Sequence, residues 1–218
     1  MCVNCGVSSC SSCNTDSYIP SNTSALKYDG PKFVCPTNFT VLPGASLNDM
    51  LNTLMEQICA NSFVHYLGEE FEGGIIYHLY KDSLGVEHGL IVNKAEQGAL
   101  KWQNIGTATT AVRTEDGVFN TNLMTDSPAE AYVTGLTDGG FSDWYLPSID
   151  ESNLLYDNRF NTNKALRSGA FTLLSTATYW SSTELNTGSA YILNSISGVA
   201  ATLAKDNTTV LTRAIRSF

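Results

Sequence analysis

The chain has 218 residues, 43% of them hydrophobic and 15% charged, with a formal net charge of -9. That length and apolar content suit a domain of about 150 residues plus a smaller part, and the low charge leaves Asn, Thr, Ser and Gly to cover the surface. No run of Lys or Arg offers a stripe that neutralises successive phosphates, and no window approaches the roughly 18 apolar residues of a membrane-crossing helix, so nucleic-acid binding and membrane insertion are both set aside.

Met1 to about Ser24 is poor in apolar residues and cannot bury enough surface to fold by itself. Its opening, MCVNCGVSSCSSC, lacks the basic and apolar regions of a secretory signal. The expectation is a protein that leaves a cell by lysis, by assembly into a particle, or after removal of a leader. Cys2, Cys5, Cys10 and Cys13 read C-x2-C-x4-C-x2-C. Paired C-x2-C knuckles are what a tetrahedral zinc site uses, although the linker between them is far shorter than usual. Cys5, Cys10 and Cys13 also match part of a plant-type iron-sulfur loop, with Cys35 or Cys59 as the fourth ligand. The competing reading is a tether whose thiols pack against or cross-link to a partner. Apart from that zinc, no cofactor is expected.

Ala25 to Pro36 reads as an extended arm with a bend at Asp29-Gly30-Pro31, and Phe39 to Leu42 as a short strand-like run. From Ser46 the period becomes helical. Ser46 is the N-cap, Asp49 follows three residues on, and Leu47, Met50, Leu51, Leu54, Met55 and Ile58 repeat at three and four. Leu47, Leu51, Leu54 and Ile58 form either the seam of an oligomerising stalk or the inner face of a helix lying on its own domain. The expected division is an anchor arm over 1–45, a helix or stalk over 46–71 and a larger domain over 72–218.

In that domain GGIIYHLY (73–80) and HGLIV (88–92) flank the turn-like KDSLG as a hairpin. Residues 94–123 are expected to be mostly loop around Trp102. Two helix starts follow: Ser127-Pro128-Ala129-Glu130, with Gly135 as the stop, and Ser148-Ile149-Asp150-Glu151. Strands are then expected over 179–182, 190–195, 200–204 and 210–217, with Asp206-Asn207 as a hairpin turn before the last. The pattern is an α+β fold with a mainly antiparallel sheet and two short helices.

Taken in order, GGIIYHLY, HGLIV, GGFSDWYLPSIDE, YWSSTE and the terminal TRAIRSF resemble the Lcl C-terminal-like family, the C-terminal domain of collagen-like adhesins, over about residues 72–218. The resemblance implies a C-type-lectin-like fold whose first and last strands pair, bringing its ends together with long loops projecting opposite. Such domains serve display and adhesion on bacterial surface proteins and phage fibres. The animal-lectin calcium and sugar motifs are absent, so calcium-dependent sugar binding does not carry over. LKYDGP and the helix ending EQIC resemble attachment arms of structural proteins from phages of gut Bacteroidales.

Trp144, Tyr145, Tyr179 and Trp180 are expected in the core. Asp143, Asp150, Glu151 and Glu184 look like paired carboxylates for glycoside hydrolysis, but the capping box accounts for Glu151 and the family supplies no hydrolase. Arg213 and Arg216 are expected to tie the last strand to these carboxylates. No catalytic spacing surrounds His65, His78 or His88, and the chain is read as a non-enzyme. The expected ligand-binding residues are Trp102, Asn104, Asn186 and Asn194, in the loops 94–123 and 186–198. The functional expectation is a phage fibre or head-decoration protein in the virion. It would be a homo-oligomer (trimer or dimer) that meets capsid or tail proteins through its N-terminus and host-surface glycans through its lectin-like domain. The alternatives are an adhesin of the bacterial cell surface and a purely structural capsid cement.

Overall fold

The computed structural model describes residues 33–34, 40–41 and 45–218 apart from 97, and for 33–34, 40–41 and 55–61 the backbone alone. The chain divides into two compact units, with the division between Ser62 and Phe63. In the first, strand β1 (Phe33–Val34) pairs antiparallel with β2 (Thr40–Val41), Phe33 opposite Val41. Helix α1 (Leu47–Asn61) follows. Its start is a reciprocal cap: Asp49 N–H donates to Ser46 Oγ at 3.1 Å, and Ser46 N–H to Asp49 Oδ2 at 3.0 Å. Leu51 and Leu54 are 47% and 42% exposed, and Leu47 is half-buried. The side chain of Ile58 and all of Cys2, Cys5, Cys10 and Cys13 lie outside the described residues.

The second unit is α+β. Strands β3 (Glu70–Phe71), β4 (Gly74–Lys81), β5 (Glu87–Asn93) and β9 (Ile215–Ser217) form an antiparallel sheet in the order β3-β4-β5-β9. Strands β6 (Thr178–Asn186), β7 (Ser189–Asn194) and β8 (Val199–Ala204) form an antiparallel meander. The 73–80 and 88–92 runs are apolar throughout rather than alternating, because both faces of their sheet are covered. Ile76 and Ile91 face a core holding Trp102, Trp144 and Trp180. Ile75, Tyr77, Leu90 and Val92 face a second core with Leu155 and Leu166, and the pairing register shifts between Ile76 and His78. Tyr145 and Tyr179 are also buried, so all four expected aromatics are core residues.

Four helices join the sheets: α2 (Gly117–Leu123), α3 (Pro128–Thr134), α4 (Ile149–Asp157) and α5 (Arg159–Ser168). Both expected starts are present. Ser127 caps α3 with Pro128 in its first turn, and Ser148 and Glu151 close a full capping box on α4. Helices α2 and α5 are corrections to the expected loops and to the expected pair of helices. Helix α2 buries Gly117, Asn120 and Thr121, so it shows no apolar period, and its cap is Asp116, which accepts from Phe119 N–H at 2.8 Å. Helix α5 buries only Thr162 and Leu166 and has no side-chain cap.

The C-terminal strand also departs from expectation. No hairpin follows Asp206-Asn207, because β8 pairs with β7 and the chain crosses to the other sheet, where β9 pairs with β5 rather than with the first strand. The ends of the unit do lie together: the Phe218 ring centroid is 5.4 Å from that of His65 and 5.1 Å from that of Phe71.

One turn needs glycine. Gly73 (φ 89°) and Gly139 (φ 70°) pack backbone to backbone, and a Cβ on Gly139 would sit 2.4 Å from Gly73 Cα. Gly139→Ala is therefore expected to destabilise the chain by about 2 kcal/mol or more, from strain plus the clash. Urea unfolding of the two forms measures it.

Candidate functional site

Of the four carboxylates that resembled a hydrolytic pair, Asp143, Glu151 and Glu184 are bound within the fold, and Asp150 is exposed. Glu151 accepts from Ser148 N–H at 2.7 Å and from the Tyr145 hydroxyl at 2.9 Å, and burial raises its pKa despite these bonds. Asp143 forms a two-pronged pair with Arg216, Nε to Oδ1 at 2.8 Å and Nη2 to Oδ2 at 2.9 Å, while Arg216 Nη1 reaches Glu72. Glu184 is 4% exposed and is joined to Lys205 Nζ at 2.9 Å. The Thr109 hydroxyl and N–H donate to its second oxygen. Lys205, 1% exposed, also donates to Gln103 Oε1 and Thr107 O, so all three of its protons are placed. Arg216 thus ties the last strand to Asp143 as expected, whereas Arg213 reaches none of the named carboxylates and stands beside Glu96 instead.

Of the expected ligand residues, Asn104 and Asn186 lie on stretches that meet, a Cβ on Gly106 falling 3.2 Å from Thr187 O, whereas Asn194 stands apart. Trp102 is 0% exposed: its Nε1 donates to Ser181 O at 2.8 Å and Lys205 Nζ lies 4.5 Å from its ring centroid. It offers no face to a ligand, and Gln103, Thr109 and Ala111 of the same supposed loop are buried too. Asn104 is exposed and donates to Asp126 Oδ1. Asn186 and Asn194 turn inward on their own loops, accepting from Gly188 N–H and from Ile196 and Ser197 N–H. Asn186 and Asn194 sit at opposite ends of the β6–β7 hairpin.

The concavity lies elsewhere. A cleft of about 120 Å³ opens between α4, α5, the 174–176 loop and the β6 and β7 strands. Leu155, Leu174 and Leu193 line it, with the rings of Tyr156 and Tyr179. Its polar lining includes Arg213, which is 1% exposed. Arg213 Nε donates to Asn93 O at 2.8 Å and Nη2 to Thr172 O at 2.9 Å, but Nη1 has no hydrogen-bond partner among the described residues. Glu96 Oε2 stands 3.9 Å from Nη1. Both Glu96 oxygens are taken: Ser175 Oγ donates to Oε1 at 2.8 Å and the Tyr179 hydroxyl to Oε2. Burial, then this bond to Glu96, pushes the Tyr179 hydroxyl pKa far up, and burial lowers that of Arg213. Outside the cleft a shallow depression on α5 shares Arg159 and Asn163 with it and adds Lys164 and Arg167. The sequence signal for this site was the second capping box, which starts α4, and Arg213 in TRAIRSF.

The arrangement is that of an α+β domain in which Asp143, Glu151 and Glu184 serve the fold and one cleft joins apolar walls to a buried cation. The chain belongs to the Lcl C-terminal domain family, whose model matches residues 91–216, from β5 into β9. Membership suggests an adhesin-like or surface protein. No curated protein matches the chain.

Glu184 and Asp143 fix the sign of the acid response. At Glu184 burial opposes ionisation, but the bonds from Thr109 and Lys205 together outweigh it; at Asp143 the Arg216 bond is the chief cause. Both lie below their ordinary 4.5 and 3.8. Stability tied to a lowered carboxylate is complete above the unfolded pKa and lost as pH falls through the folded one, whereas Glu151, raised by burial, acts in the opposite sense. The unfolding midpoint is expected to drop as pH falls below about 4.5. Glu184→Gln is expected to cost about 3–5 kcal/mol at neutral pH, by leaving Lys205 charged and unpaired, and to make the acid decline shallower. Calorimetry across a pH series measures both.

Proposed function

We propose that this chain is an adhesion protein of a phage particle, a fibre or head decoration held by residues 1–45, whose second unit recognises host-surface glycan without chemical turnover. The observation that carries the recognition part is the cleft between α4, α5 and β6, which combines leucine walls, two tyrosine rings and a buried arginine. Ligand sites have this composition: apolar walls and few, fixed polar groups. Family membership supports an adhesive role, and the ordered motifs support a C-type-lectin-like assignment. The virion location rests on the arm's likeness to phage attachment segments. In this reading Leu47, Leu51, Leu54 and Ile58 hold a homo-oligomer together, the N-terminal cysteines bind zinc or cross-link to capsid or tail proteins, and no other cofactor takes part. A bacterial surface adhesin is the second reading, favoured by the same family membership.

Thr176 provides the test, because it lines the cleft and is exposed, so a large side chain there fills the space with little effect on folding. On a glycan array the full chain is expected to retain a defined set of saccharides, and Thr176→Trp to abolish retention while changing stability by less than about 0.5 kcal/mol. Immunogold labelling of particles is expected to place the chain on the virion. Label on the cell envelope instead would identify a cellular adhesin, and an array at background would leave a structural cement.

A further inference from the structure

We infer that the end of the β4–β5 hairpin, with the 63–64 stretch beside it, is a contact surface between copies of this chain, through which the second units of a homo-oligomer meet; this rests on the oligomer reading above. The side chains come first. Val64 and Leu84 are 85% and 86% exposed, and Phe63, Tyr80 and Val86 are exposed with them. Lone apolar side chains on a surface are ordinary, whereas several gathered at one place mark a contact. Here bonds do the gathering. Glu87, opposite Lys81 in the hairpin, accepts from Val64 N–H at 2.5 Å and from His65 N–H at 3.0 Å, and Lys81 Nζ lies 5.4 Å from the Phe63 ring centroid. The 63–64 stretch is thereby pinned to the hairpin end that carries Leu84 and Val86.

The acids of this end are turned to its own backbone. Asp82 Oδ1 accepts from Leu84 N–H and Val86 N–H, each at 2.9 Å, and its Oδ2 stands 3.4 Å from His88 Nε2. Gly85, at φ 79°, takes the left-handed position of the turn, and its N–H donates to Asp82 O at 3.0 Å. Asp82 and Glu87 therefore fix the shape of the end, and the turn holds Leu84 and Val86 in one conformation. Little ordering entropy remains to be lost when such a surface is covered.

Chain connectivity selects what covers it. Helix α1 ends at Asn61, three residues before Val64. An extended chain spans at most about 3.6 Å per residue, so Val64 of each copy stays within roughly 11 Å of that copy's helix end. Helices packed along a seam lie about 8–10 Å apart. A homo-oligomer held by Leu47, Leu51, Leu54 and Ile58 thus tethers one such apolar surface per copy around a single axis, at an effective concentration of roughly millimolar. At that concentration a small apolar contact is filled by a second copy ahead of a separate partner, and the same patch serves every copy in a closed assembly.

The test joins sedimentation equilibrium of the full chain to photo-cross-linking. The parent chain is expected to associate, and Val64→Asp combined with Leu84→Asp to weaken association by at least about tenfold, because apolar burial is lost and two carboxylates would have to shed water. Both positions are exposed, so this variant is expected to keep the circular dichroism of the parent; should it not fold, cross-linking decides. Benzoylphenylalanine in place of Leu84 is expected, on illumination, to cross-link to residues 63–86 of another copy. An oligomer whose strength ignores the two substitutions, or whose cross-links fall elsewhere on the copy or on proteins of the particle, would overturn the inference and leave the α1 seam standing. A parent chain that is monomeric at every concentration would remove both.

Discussion

The second unit depends on the passage of residues 210–217 between its two sheets. The meander β6-β7-β8 and the β3-β4-β5-β9 sheet share no strand, so something must hold them in one register. Leu211 N–H donates to Thr178 O and Leu211 O accepts from Trp180 N–H, which fastens the segment to β6. Three residues later Ala214 O accepts from Asn93 N–H, and Ile215 exchanges two bonds with Tyr145. The segment therefore bonds in turn to the meander, to the end of β5 and to the strand-like 144–147 run. Val210, Ala214 and Ile215 are each 0% exposed, which makes these bonds inaccessible to water and the crossing rigid.

Arginine and lysine at this junction behave in two ways, and the difference separates framework from site. Lys205 has its three protons placed and its charge opposed by Glu184, and Arg216 has a carboxylate on each side. Both are closed networks, the condition under which a buried charge stabilises a unique arrangement. Arg213 is held as firmly, by two backbone carbonyls, while its Nη1 makes no hydrogen bond among the described residues and is offset by Glu96 Oε2 at 3.9 Å.

How much of this was legible in the sequence follows from where apolar periodicity and capping chemistry were present. The 73–80 and 88–92 runs, Ser127 with Glu130, and Ser148 with Glu151 each carry a local physical cause, and each formed the expected element. Helix α2 escaped because the side it buries is Asn120 and Thr121, whose bonds to Arg113 backbone and to Leu146 replace apolar packing. Helix α5 escaped because it continues from α4 through Asn158 with two buried side chains and no cap. Trp102 was misplaced for a related reason: it stands in a polar, Gly- and Thr-rich stretch that composition marks as surface, but Lys205 over its ring and Ser181 O at its nitrogen make it core. The cleft was illegible because its walls come from four separate stretches and the orphaned nitrogen is a fact of geometry.

Position within the fold favours the cleft over the loop tips as the place for the proposed recognition. The turns at Asn186 and Asn194 are short and internally bonded, so their amide oxygens are already engaged with their own backbone. A ligand there would have to displace those bonds before making its own. The cleft, by contrast, stands between helices anchored by a capping box and strands anchored by the 210–217 crossing. Its Tyr179 and Ser175 are oriented by Glu96, and Ser195 accepts from Ala177 N–H, fixing the 174–177 loop from the other side. Sites supported on both flanks hold their geometry without a closing motion. Because Arg213 both lines the cleft and donates to Asn93 O and Thr172 O, a change there disturbs the junction as well as the cleft, whereas a change at the exposed rim residue Thr176 leaves those bonds in place.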